Sequence, residues 1–130
     1  MAKVWLAVMA GGALGSGARL WLSGWLAGRY GESFPVGTLA VNVSGCLLIG
    51  LFVGLTGPDG TLLVSPLTRQ FVAIGILGGF TTFSSFSLQT LNLLSGGQWL
   101  HAALNVILSV ILCLAAVWLG LMLANLPAAK

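Results

Sequence analysis

Residues 75–87 read Gly-Ile-Leu-Gly-Gly-Phe-Thr-Thr-Phe-Ser-Ser-Phe-Ser, in the middle of a long apolar segment. Three glycines and five hydroxyl side chains in this stretch disfavour a continuous helix, because glycine costs conformational entropy and hydroxyls compete for backbone hydrogen bonds. In a membrane, irregular backbone is tolerated where it is buried in protein or lines a wet cavity or ion site. The stretch therefore predicts a broken helix at the functional region of the chain.

The composition around this stretch is that of a membrane protein. Hydrophobic residues make up 58% of the chain, charged residues 5%, and the mean hydropathy is +1.05. Soluble domains carry about a quarter charged residues, so five basic and two acidic side chains cannot cover a surface exposed to water. The apolar segments are long and continuous rather than alternating, which favours transmembrane helices in a lipid bilayer over a barrel.

Three clusters of glycine, proline and charged residues divide the chain, at 28–33, 57–60 and 95–98. They predict a single transmembrane domain over 1–130, without a cleaved signal peptide. Its four predicted helices are about 4–27, 36–56, 67–94 and 99–126, each long enough for a hydrocarbon core of ~30 Å. The fold class is therefore all-α, with the third helix broken near its middle.

Glycines at four-residue spacing favour close helix association. The pairs are Gly11/Gly15, Gly24/Gly28, Gly50/Gly54 and Gly75/Gly79. Because four helices form a thin bundle with little interior, a pathway is more plausible between two copies, so a homodimer is expected.

The charges outside the predicted spans give only a faint orientation signal. Lys3, Arg69 and Lys130 fall on one side of the membrane and Arg29 on the other. Such a subunit could insert both ways and pair antiparallel, although the count alone does not decide it. The same basic residues are scattered, which argues against a nucleic-acid partner.

The sequence lacks the residues that several functional classes require. Glu32 and Asp59 both lie in breaks, so no carboxylate inside a span is available for proton coupling. Cys46 and Cys113 lie in apolar segments without CxxC spacing and are expected to be buried thiols. Neither a nucleophile–base pair nor a metal-ligand cluster is evident, so an enzyme is not expected.

Polar residues inside the predicted spans have both functional and structural interpretations. Arg19 either attracts anions near a pore mouth or snorkels toward the headgroups. Asn42 can hold an anion, tie a broken helix, or make an ordinary interhelical hydrogen bond. In the fourth span, a stripe with four-residue spacing can line a path or join helices, and it comprises His101, Asn105, Ser109 and Cys113.

Phe83 and Phe86 follow the glycines at a spacing of three, which places them on one face of a resumed helix. Ring edges carry partial positive charge and can meet an anion, although such rings more often serve packing. The flanking hydroxyls, including Thr82 and Ser85, strengthen the anion interpretation, because donors and ring edges together suit a small dehydrated anion.

The run Gly78–Ser87, with 11–15 leading to Arg19 and 37–42 entering the second span, resembles the Fluc (CrcB) fluoride channels over essentially the whole chain. The resemblance implies an antiparallel, dual-topology homodimer with two pores that passively export fluoride. It also implies that Phe83, Phe86, Asn42 and Ser109 line the pore.

The resemblance further implies a structural sodium ion at the dimer centre, bound by backbone carbonyls of Gly78 and Thr81. Three residues depart from the family pattern. Ser85 stands in place of Thr, Cys113 in place of Ser, and Gln89 in place of an acidic residue.

The function that follows is a fluoride uniporter for detoxification in a prokaryotic plasma membrane. A small multidrug-type transporter is one alternative, but it needs a carboxylate inside the membrane. A non-transporting membrane scaffold is the other, and it gives no reason for the sequence of 78–87.

Overall fold

The computed structural model describes residues 1–126, which form helices and no strand. The helices are α1 (Ala2–Tyr30), α2 (Val36–Thr56), α3 (Pro66–Gln70), a π-helical segment (Phe71–Leu77), α4 (Gly78–Phe80), α5 (Phe83–Ser95) and α6 (Trp99–Ala124). The all-α prediction is confirmed for this part of the chain.

Three helical stretches are long and apolar enough to cross a membrane, at Val36–Thr56, Pro66–Ser95 and Trp99–Ala124. They match the second, third and fourth predicted spans to within two residues. The first predicted span is not among them, although α1 has 29 residues, because glycine, serine and Arg19 dilute its apolar character. Lys130, counted above for orientation, lies outside the described residues.

Helices α2 and α6 pack side by side and run parallel. A Cβ atom added at Gly50 would lie 3.0 Å from the carbonyl carbon of Val117, and Gly54 faces Leu121 and Ala124 one turn later. Residue numbers thus rise together along both helices. The same register places Asn42 and Cys46 of α2 beside the Ser109 and Cys113 region of α6.

Helix α1 crosses the first half of the broken span at glycine contacts. A Cβ atom at Gly11 would lie 2.6 Å from the carbonyl oxygen of Phe71, and one at Gly79 would lie 2.7 Å from that of Gly12. Backbone atoms cannot give way as a flexible side chain can, so these positions need glycine. Gly24 and Gly28, which show the same spacing, meet nothing within 4 Å in the chain.

The break in the third span lies at Thr81 and Thr82, as the sequence predicts. The backbone hydrogen bonds of the helix take π-helical geometry over Phe71–Leu77, and the last helical turn before the break ends at Phe80. Thr81 and Thr82 are extended, with φ/ψ of −80°/157° and −153°/113°. Helix α5 then begins at Phe83, and the Thr82 hydroxyl accepts from the Ser85 N–H at 3.1 Å.

Asn42 of α2 pairs with the backbone at this break. Its Nδ2 donates to the Thr82 carbonyl at 2.9 Å, and its Oδ1 accepts from the Thr82 N–H at 2.7 Å. In an unbroken helix that N–H would donate to the carbonyl of Gly78. This side chain therefore supplies the hydrogen bond that the interrupted ladder denies to the Thr82 N–H, and it ties the break to α2 of the same chain.

The α2–α6 contact predicts that Gly50→Ala destabilises the folded protein, because its methyl group would meet the Val117 backbone. Overpacking of this kind costs about 1–3 kcal/mol. Gly24→Ala is the matched control, since open space surrounds Gly24 and alanine favours helix. The measurement is the protein fraction that remains monodisperse in detergent after heating. Equal heat resistance of the two variants would contradict the packing assignment.

The Asn42 pairing predicts that Asn42→Leu leaves the N–H of Thr82 without its partner, at a cost of about 1–3 kcal/mol. Amide exchange at Thr82 and Phe83 should accelerate and the thermal midpoint should fall. Ser44→Ala is the control, because the Ser44 hydroxyl bonds only to carbonyls of its own helix, at Ala40 and Val41. Unchanged exchange in Asn42→Leu would show that the break is held by other contacts.

Candidate functional site

A groove of about 480 Å³ lies between α2, the broken span and α6. We call it the aromatic groove. It brings together most of the residues singled out in the sequence, from segments far apart in the chain. Those residues are Asn42, Gly78, Thr81, Thr82, Phe83, Phe86 and Ser109.

A second, more polar cavity of about 580 Å³ adjoins the same break. Two of the remaining predicted residues, Arg19 and Ser85, line this polar cavity, together with Glu32 and Gln89. The predicted site residues therefore fall into two spaces. Thr82 lines both of them and joins the two sets.

The two phenylalanines contact each other within the groove but differ in exposure. Their ring centroids are 5.2 Å apart and the planes are tilted by 47°. Phe86 is 9% exposed, whereas Phe83 is 77% exposed. A tilted pair presents ring edges as well as faces, and the edges carry the partial positive charge. The open side of the groove lies at Phe83.

A chain of hydrogen bonds joins the polar stripe of α6 to α5. Asn105 is 1% exposed, and its Nδ2 donates to the Thr90 hydroxyl at 2.9 Å. Thr90 in turn donates to the carbonyl of Phe86 at 2.8 Å, and the Ser109 hydroxyl donates to Asn105 Oδ1 at 3.5 Å. These bonds set the position of α5, and with it Phe86, against α6.

Thr90 is a site-positioning residue that the sequence reasoning missed. The sequence feature that could have identified Thr90 is its four-residue spacing from Phe86 and Thr82, which places the three residues along one face of α5 and its N-cap. His101, the first residue of the predicted stripe, lies elsewhere: it is exposed, and its Nδ1 lies 3.1 Å from Gln98 Oε1 at the start of α6. The stripe is therefore buried at Asn105 and Ser109 and open to the surroundings at His101.

Hydroxyl groups cluster at the start of α5. The Thr82 hydroxyl donates to that of Ser85 at 3.0 Å and lies 3.2 Å from that of Ser84. Hydroxyls can rotate to donate or accept, so a short run of them can adapt to an anion without moving the backbone.

Gln89 contributes an unusual polar atom to the wall of the polar cavity. Its Oε1 is buried and has no hydrogen-bond partner among residues 1–126. An unpaired buried acceptor costs free energy, and the same amide carries an NH₂ group that can donate to an acceptor in the cavity. A glutamine here can therefore donate to an anion where a carboxylate would repel one.

Backbone oxygens are the metal donors available at the break. Within 1–126 no cluster of three or more His, Cys, Asp or Glu side chains could hold a metal. The carbonyl of Gly78 lacks its usual helical donor, because the Thr82 N–H pairs with Asn42. Gly78 is also exposed, and Thr81 follows in extended geometry. Such carbonyls suit hard cations.

Comparison with known proteins gives one consistent result. A protein-family model described as CrcB-like protein, Camphor Resistance (CrcB), matches residues 6–121. A relative from Rhodospirillum rubrum is 60% identical over 116 residues, covering 89% of this chain and 90% of the relative. One from Opitutus terrae is 58% identical over 118 residues, covering 91% and 89%. One from Methylocella silvestris is 54% identical over 116 residues, covering 89% and 88%.

All three relatives carry the name fluoride-specific ion channel FluC. The family model, over residues 6–121, includes most or all of every helix described above, together with the break and the residues that line the aromatic groove and the polar cavity. With three helices long and apolar enough to cross a bilayer, the chain is a multi-pass membrane protein, and it belongs to the CrcB-like family.

Proposed function

We propose that the chain is one subunit of a fluoride-selective channel that lets fluoride leave the cytoplasm passively. The observation that carries the proposal is the aromatic groove, which places the Phe83 and Phe86 rings beside hydroxyl donors at a helix break. The name carried by relatives that match 89% and 91% of the chain supports the same ion. The ion-transport function requires no catalytic residues.

Fluoride is small and strongly hydrated, so a selective path must replace its water with donors at close range. Arg19 in the wall of the polar cavity carries a positive charge that attracts anions, and the carboxylate of Glu32 in the same wall opposes it. Thr82 lines both spaces, so a path from Arg19 to the rings passes its hydroxyl. Ser85 donates on the polar side, and Ser109 donates beyond the rings. Asn42 acts through the backbone of Thr82 and positions this donor.

The open side of the groove supports a homodimer. Phe83 is 77% exposed, and an anion beside a ring facing lipid would lose its water without any compensating donor on that side. A second copy would close the groove there. Helix α1, with 29 residues, is long enough to serve as the fourth span at ~1.5 Å per residue. The faint charge bias is compatible with an antiparallel pair of dual topology.

The carbonyls of Gly78 and Thr81 fit a structural sodium ion at the centre of such a dimer. Gly78 is exposed and its carbonyl is released from the helical ladder by Asn42. Four carbonyls, two from each copy, would offer hard oxygen ligands without any acidic residue. Sodium bound there would add positive potential near the two pores.

The rival transporters and scaffolds are less well supported. A small multidrug-type transporter needs a carboxylate within the membrane, whereas Glu32 lies in the bend after α1 and Asp59 in the turn after α2. A scaffold would use the glycine contacts but not the hydroxyl cluster. Fluoride enters cells as the neutral acid and is trapped as the anion, so a passive exit in a prokaryotic plasma membrane would limit its toxicity.

The groove predicts that Phe83→Ile abolishes most fluoride efflux from liposomes, because isoleucine has no polar ring edge. A tenfold lower rate corresponds to ~1.4 kcal/mol of added barrier, and at least that loss is expected. Efflux is read with a fluoride electrode, with chloride as the control anion. Phe52→Ile is the matched control variant, since Phe52 is in α2 and lines neither cavity.

Absence of efflux from well-folded wild-type protein would reject the channel and favour the scaffold. Equal efflux from wild type and Phe83→Ile would keep the channel but remove Phe83 from the path. Chloride efflux as fast as fluoride efflux would reject the selectivity.

Dimer and sodium are tested together by native mass spectrometry of protein released from detergent. The expected mass is twice the 13.4 kDa of one chain plus the mass of a single sodium ion. The sodium ion should be absent when the protein is prepared with a large organic cation in place of sodium. A complex of one chain would reject the dimer. A dimer of equal heat resistance with and without sodium would reject the structural ion.

A further inference from the structure

The two cysteines of the chain lie next to each other in the folded protein. Cys46 of α2 and Cys113 of α6 are the only cysteines in the sequence, and both are free. Both side chains line the aromatic groove, where α2 and α6 pack side by side. The parallel register of α2 and α6, set by the contact of Gly50 with Val117 one turn further on, holds them together.

Both thiols face the aromatic groove. Each is partly exposed, and each lines the same space as Phe83, Phe86 and Ser109. A solute that enters the groove therefore meets two sulfur atoms at once. The proposed fluoride path makes no use of these thiols, because an S–H group is only a weak hydrogen-bond donor.

We propose that Cys46 and Cys113 form a two-thiolate site for a soft divalent metal ion of the mercuric class, on the wall of the aromatic groove. A two-coordinate ion holds its sulfur ligands apart by about twice a metal–sulfur bond of ~2.3 Å. Thiols that line one groove from the same level of two packed helices reach that separation by rotation of their side chains.

Charge, coordination number and softness together favour this ion over other metals. Each S–H bond breaks as a sulfur–metal bond forms, and the two protons pass to water. Two thiolates and one divalent ion make a neutral complex, which a low-dielectric site accepts more readily than a charged one. Hard ions prefer oxygen ligands, and zinc prefers four ligands where the cysteines supply two. Soft thiolates select soft metals.

Occupancy of this site would obstruct the ion path. The metal would lie in the groove that the phenylalanine rings line, and it would join α2 to α6. This consequence rests on the proposed fluoride channel, whereas metal binding itself does not. The two parts can therefore be tested separately.

Binding is tested by titrating reduced, desalted protein with mercuric chloride and following the sulfur-to-mercury charge-transfer absorbance. One ion per chain is expected. Competition with glutathione separates two-thiol from one-thiol binding. Wild type should retain the ion at roughly 100-fold more glutathione than Cys46→Ser or Cys113→Ser, because the second thiol acts at a high effective concentration. Zinc chloride is the control metal and should be removed at the lowest glutathione concentration.

Equal retention by wild type and the single variants would overturn the two-thiol site. Variants are compared only where their elution in size-exclusion chromatography matches wild type. The double variant Cys46→Ser/Cys113→Ser contains no thiol, so mercury bound to it would also overturn the assignment.

Fluoride efflux is then measured at a glutathione concentration that removes mercury from both single variants but not from wild type. Each protein is compared with its own untreated rate. Mercury should slow wild-type efflux at least tenfold and leave the efflux rates of the variants unchanged. A larger excess of glutathione should then remove the mercury and restore the wild-type rate. Unchanged efflux from mercury-loaded wild type would overturn obstruction of the path. Absence of efflux before any mercury would instead overturn the proposed channel and leave the metal site standing.

Discussion

The pairing of Asn42 with Thr82 is the interaction on which the rest of the site depends. A polypeptide in lipid must satisfy its own backbone groups, and a helix broken at membrane depth leaves several without partners. The side-chain amide of Asn42 makes two short hydrogen bonds with the backbone of Thr82 at the break. The break can then persist as a fixed geometry. The hydroxyl cluster, the ring pair and the released carbonyl of Gly78 all take their positions from it.

The surroundings of the break follow from two kinds of helix contact. On one side, α1 approaches through glycines and meets only backbone, which leaves no room for adjustment. On the other side, the buried Asn105 connects through Thr90 to the carbonyl of Phe86. Rigid packing and a directed hydrogen-bond chain thus hold the two halves of the broken span. A narrow path for a small ion needs that rigidity, since donors must stay in place when water is removed.

Much of this arrangement could be predicted from local sequence. Glycines and hydroxyls at 75–87 locate the break to within a few residues, because the cost of placing them in a helix is a local property. Long apolar runs likewise set the bounds of α2 and α6. The partners across the bundle could not be predicted in this way. Asn42 and Thr82 are 40 positions apart, and the adjacency of Cys46 and Cys113 depends on the register of two parallel helices. The sequence also predicted a first span at 4–27, whereas α1, with its lower apolar content, is not among the three stretches apolar enough to cross a membrane.

The hydrogen bonds that seal the break all lie within one chain. A single subunit in the bilayer therefore exposes no unpaired Thr82 backbone to lipid. What it does expose is the carbonyl of Gly78 and apolar surface such as the ring of Phe83. For the proposed antiparallel homodimer, insertion of each subunit and the later encounter of two subunits then become separable events, so the abundance of the protein can govern how much of it is assembled.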